Sequence, residues 1–104
     1  MYKEGWRQKI ETKSPPPSDF MRESKLGTYV NPVVTVALRP DGNVESVVFN
    51  RESGVPHIDH AVKRIIYMLS PYDRLPAEVA PEGVIEIQYV WTMDKAVRLF
   101  SSGR

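Results

Sequence analysis

Cysteine is absent from the 104 residues, which excludes disulfides, thiolate zinc sites and a cysteine nucleophile together. The compartment stays open, because a disulfide-free fold suits oxidising and reducing surroundings alike. No apolar run approaches the roughly 20 residues that a membrane helix needs. No signal-peptide pattern stands at the start, so any anchor or export signal is expected upstream of Met1. Neither sign of charge dominates: 14 basic and 13 acidic residues leave a formal net charge of +1. They are mixed along the chain, so no strong field draws nucleic acid or acidic lipid. A lysine-rich amphipathic helix for membrane surfaces and a basic-aromatic RNP-like segment are both missing.

Catalytic chemistry is equally hard to assemble. No serine sits in a Gly-x-Ser-x-Gly elbow and no glycine-rich phosphate loop occurs. The only two histidines, His57 and His60, lie three apart, a spacing that can bring both rings to one side of a helix. With Asp59 between them, a zinc site would still need carboxylates from elsewhere. The plainer reading is two exposed residues at a helix start, with Asp59 stabilising that start. Asp41 reads as a turn residue, and Glu45, Glu52, Glu78, Glu82 and Glu86 as solvated carboxylates. Trp6 and Trp91 fall at amphipathic positions, where aromatic side chains usually join the core. No catalytic, metal or cofactor residue is assigned.

What is present is a pattern of alternating elements. Tyr2, Trp6 and Ile10 recur every four residues, which predicts a short helix over residues 2–12 that must dock to be stable. The run of prolines at 15–17 ends it. Residues 14–32 read as a linker or loop, with Phe20, Met21 and Leu26 able to pin it to the body. Residues 33–39 form a strand with Val34, Val36 and Leu38 on one face. Pro40, Asp41 and Gly42 supply a turn, and residues 44–50 the returning strand. Ile58, Ala61, Val62, Ile65, Ile66 and Leu69 then mark an amphipathic helix, with Pro56 suited to its first turn and Pro71 to its end. After a polar loop over residues 70–83, Ile85, Ile87, Tyr89 and Trp91 alternate with Glu86, Gln88, Val90 and Thr92 as a third strand. Residues 94–100 fit either a short helix or a strand extension, and 101–104 a tail.

These elements predict an α+β domain of topology α-β-β-α-β, its compact part spanning 33–100 after the helix of 1–13. The hairpin makes the first two strands antiparallel. A right-handed crossover places the third beside the first, giving a three-stranded antiparallel sheet of order 2-1-3 with both helices on one face. The third strand is then an open edge with unpaired backbone groups.

In this order the residues resemble the TonB C-terminal domain family. The resemblance rests on residues 33–44 (Val-Val-Thr-Val-Ala-Leu-Arg-Pro-Asp-Gly-Asn-Val), on 47–54 ending in Ser53-Gly54, and on Pro56-His-Ile-Asp59-His-Ala61. Pro71-Tyr72 with Leu75-Pro76 is similar to the family's proline-aromatic segment, and Trp6 with its neighbours to the Trp-centred first helix of some members. Glu52 stands where Ser-Ser-Gly is usual, and the Tyr-Pro pair common before the first strand is replaced by separated Tyr29 and Pro32. The resemblance implies a non-enzymatic periplasmic domain of an energy transducer, anchored in the inner membrane of a Gram-negative bacterium and driven by an ExbB/ExbD-type complex. It implies binding of a short receptor segment, the TonB box, by strand addition. The expected partner-binding residues are Val84, Ile85, Glu86, Ile87, Gln88, Tyr89, Val90 and Trp91, with Glu86 and Gln88 tuning the fit. Three alternatives remain: a TolA-like envelope-integrity domain binding periplasmic proteins, a small metal- or ligand-binding enzyme using His57, His60 and Asp59, and a homodimer made through open edges.

Overall fold

Apolar residues at two periodicities, every three to four in the helices and every second in the strands, meet in one layer of core. The computed structural model of the chain describes residues 2–15, 30–78, 83–93 and 96–101. The elements are α1 (Tyr2–Lys13), β1 (Val33–Leu38), β2 (Val44–Arg51), α2 (Pro56–Met68), β3 (Ile85–Met93) and β4 (Val97–Ser101). Phe20, Met21 and Leu26 of the expected linker, with residues 79–82, 94–95 and 102–104, lie outside the described residues.

The strands form one antiparallel sheet in the order β2-β1-β3-β4. The expected order of the first three holds, with β3 parallel to β2 across β1. The expectation of three strands does not. The chain turns back after Met93, and β4 pairs with β3 from Tyr89↔Ser101 to Met93↔Val97. Val97 and Leu99 point into the core and bury their side chains, and this burial drives a short, weakly patterned segment into strand.

Both helices cover one face. Trp6 and Ile10 from α1 join Ile58, Val62, Ile65 and Ile66 from α2 over Val34, Val36, Leu38, Ile87, Trp91 and Leu99. The N-terminal helix is thus part of the same core as residues 33–100. Its docking also uses polar ends: the Tyr2 hydroxyl donates to the Asp73 carbonyl at 2.6 Å, and the Tyr89 hydroxyl to that of Lys3 at 3.2 Å.

Two loop features fix how these elements meet. In the turn between β1 and β2, the Asn43 N–H donates to the Asp41 carboxylate at 3.0 Å and holds that carboxyl below its ordinary range. At the start of α2, Val55 is an N-cap without a side-chain bond. Asp59 compensates by accepting the Ser53 N–H at 3.1 Å, while the buried Ser53 hydroxyl donates to the Val55 carbonyl at 3.0 Å. Serine, glycine and aspartate at this spacing therefore act as a clamp on the helix entry.

Tyr72 plugs the end of the core. Its ring lies 5.5 Å from that of Trp6, and its hydroxyl donates to the Ile66 carbonyl at 2.5 Å. Burial pushes the Tyr72 phenol far above its ordinary 10.0, with Tyr2 adding to the rise. Burial raises Tyr2 and Tyr89 as well, helped by Asp73 and Glu4 respectively. An acid raised in the folded state stabilises fully below its unfolded value and loses that contribution as pH climbs above it toward the folded value. Stability is therefore expected to hold to about pH 9 and to fall steeply beyond the ordinary tyrosine value. Urea midpoints between pH 8 and 11 check this, and Tyr72→Phe flattens the fall.

Candidate partner-binding edge

The side-chain alternation of β3 divides the expected binding residues into two sets. Ile87, Tyr89 and Trp91 are buried and Ile85 half-buried, so they hold the strand to the helices. Tyr89 stacks on Trp6 with ring centroids 6.1 Å apart. Glu86 and Gln88 are exposed on the helix-free face, and Val90 there is half-buried. The Gln88 amide donates to Asn50 Oδ1 at 3.1 Å and Thr35 Oγ1 at 3.2 Å, and so ties β3 across β1 to β2. Val84, just before the strand, is exposed.

The backbone of β3 has two unequal halves. The Trp91 N–H donates to the Pro32 carbonyl at 2.9 Å, toward β1. Backbone direction alternates along an antiparallel strand, so Ile85, Ile87, Tyr89 and Trp91 pair inward with β1. Val84, Glu86, Gln88 and Val90 then direct their N–H and C=O groups the other way. Beyond Tyr89 this outer side is occupied by β4, which corrects the expectation of an edge open along its whole length. At Val84 and Glu86 no described residue opposes it.

The other edges are guarded. On β4, the outward N–H of Leu99 donates to the Glu11 carboxylate at 2.9 Å, and that carboxylate is held by Arg7 at 2.9 Å. The i, i+4 pair of Arg7 and Glu11 reads from sequence as an ordinary surface ion pair, and nothing in it signals a bond to a strand 88 residues away. On β2, register shifts leave Asn50 and Glu45 as extra residues opposite β1. Such bulges twist an edge and disfavour further pairing. Among the described residues, the stretch left without a neighbour is the start of β3.

His57 and His60 lie on the exposed side of α2, and Asp59 faces Ser53 instead. Among the described residues no three His, Asp or Glu side chains converge on a point where a metal ion would sit. No described helix is long and apolar enough to cross a membrane.

A small α+β domain whose helices back one face of a four-stranded antiparallel sheet, with part of the outer side of β3 unopposed among the described residues, is the class this geometry defines. A family model described as TonB C terminal matches residues 2–88, and the chain belongs to that family, whose members are terminal domains of energy transducers. No curated protein and no solved structure matches the chain significantly.

Proposed function

We propose that this domain grips the TonB-box segment of an outer-membrane transporter by strand addition along Val84–Trp91 and passes on pulling force. The observation that carries the reading is the outward backbone of Val84 and Glu86, which no described residue opposes, next to two edges that are capped or bulged. An extended peptide pairs first with this stretch, main-chain bonds giving affinity and the flanking side chains selectivity. Pairing past Gln88 requires β4 to peel away from Tyr89–Trp91. The side chains of Ile87, Tyr89 and Trp91 anchor the strand so that a load along it reaches the whole core. In this reading the domain works in the periplasm, and an ExbB/ExbD-type complex at the inner membrane drives it through an upstream anchor. The domain needs no catalytic group and no cofactor for such work.

Proline at Glu86 tests the reading. Its N–H points away from β1, so the substitution removes a donor for the incoming strand while leaving the β1–β3 ladder in place. Binding of receptor peptide to Glu86→Pro, measured by calorimetry, is expected to weaken about tenfold or more, from loss of one main-chain bond and the steric block of the ring. Unchanged affinity would remove the edge from consideration.

A further inference from the structure

A second surface lies on the helix layer, away from the β3 edge. His57, His60, Ala61, Arg64, Ile65 and Met68 recur along one stripe of α2, and with Lys13 and Pro15 after α1 they line a cavity of about 500 Å³. This is within the size range of sites that bind small ligands or side-chain clusters, about 300–1,000 Å³. Its floor is apolar, from half-buried Ala61, buried Ile65 and the exposed, pliable Met68. Its rim carries Lys13, Arg64 and the two imidazoles, and among the described residues no carboxylate lines it. The nearest acid on α2 by sequence, Asp59, is engaged with the Ser53 N–H. Among the described residues no carboxylate pairs with Lys13 or Arg64.

Such a cluster is notable in a chain of net charge +1, where like charges could have been dispersed. Cationic groups around an apolar floor complement a ligand with the reverse arrangement. We infer that this groove docks an acidic peptide segment of a partner protein, with an aliphatic or aromatic side chain seated on Ile65 and Met68 and carboxylates against Lys13 and Arg64. Diffuse attraction to a polyanion is not what the domain offers, because the charge is local and the floor takes a side chain. The surface is separate from the β3 edge, so an acidic partner and a strand partner can bind at once.

The test is fluorescence anisotropy on the full chain with a fluorescein-labelled peptide in which leucine and phenylalanine are flanked by glutamates. Its glutamine counterpart and phosphatidylglycerol vesicles are the comparisons. The glutamate peptide is expected to bind at low salt and to weaken as salt screens the rim. Lys13→Glu with Arg64→Glu, both exposed, should weaken it about tenfold or more, and the neutral pair Lys13→Gln with Arg64→Gln by less. Glu86→Pro should bind it as the parent does. Equal binding of the glutamine peptide, indifference to both charge variants, or capture by vesicles alone would overturn the assignment. So would a failure of the parent chain to bind at all.

Discussion

Gly42→Ala is expected to destabilise the domain by about 3 kcal/mol or more, the sum of a left-handed backbone and a hard clash. Gly42 sits at φ 90°, and a Cβ there would lie 1.9 Å from the Tyr72 carbonyl oxygen. Neither side can give way cheaply. The Gly42 carbonyl accepts the Tyr72 N–H at 2.8 Å, and the Pro40 carbonyl accepts that of Leu75 at 2.9 Å, so the turn and the segment after α2 are bonded backbone to backbone. Gly54 is the internal comparison. Its φ is 91°, yet nothing lies within 4 Å of its Cβ position. Gly54→Ala should therefore cost only the backbone share, about 1–2 kcal/mol. Urea unfolding of the two variants separates strain from clash, and equal losses would show that the contact with Tyr72 is not what demands glycine.

Trp91→Ala is the second large effect, expected at about 4 kcal/mol. Trp91 is 1% exposed and heads the fully buried side chains by volume. It faces the helices from β3, between Pro32 just before β1 and Leu99 on β4. Loss of the indole leaves a cavity that a sheet fixed on both sides cannot collapse to fill. The urea midpoint should drop with little change in slope. A loss below about 1 kcal/mol would mean that the core is not organised around this position.

The fold was largely legible because its periodicities are long and uninterrupted. Val34, Val36 and Leu38 alternate into the core as their spacing requires, and so do Ile87, Tyr89 and Trp91. The stripe of α2 buries Ile58, Val62, Ile65 and Ile66. β4 was not legible. Val97 to Phe100 alternates over too few residues to separate strand from helix, and its state is decided by β3 and by Leu99 reaching the core. The missed strand is also why the candidate edge is shorter than expected. The residue pattern of Val84–Trp91 says which side chains face inward, but not which backbone groups find a neighbour. Glu11 shows the same limit, since its bond to Leu99 depends on α1 lying against β4, and no local spacing encodes that contact. The bulges at Asn50 and Glu45 arise from the β1–β2 register and carry no distinctive residue type.

With β4 in place, the proposed strand addition falls on a short stretch that no described residue opposes, beside a removable neighbour, which makes the central claim specific. The measurement that tests it most directly is an NMR titration of the ¹⁵N-labelled domain with TonB-box peptides. The account predicts amide shifts beginning at residues 84–88 and extending to 91, accompanied by changes over Val97–Ser101 as β4 yields its place. Saturating peptide that leaves residues 84–91 unmoved, or shifts only the Val44–Arg51 edge, would contradict it.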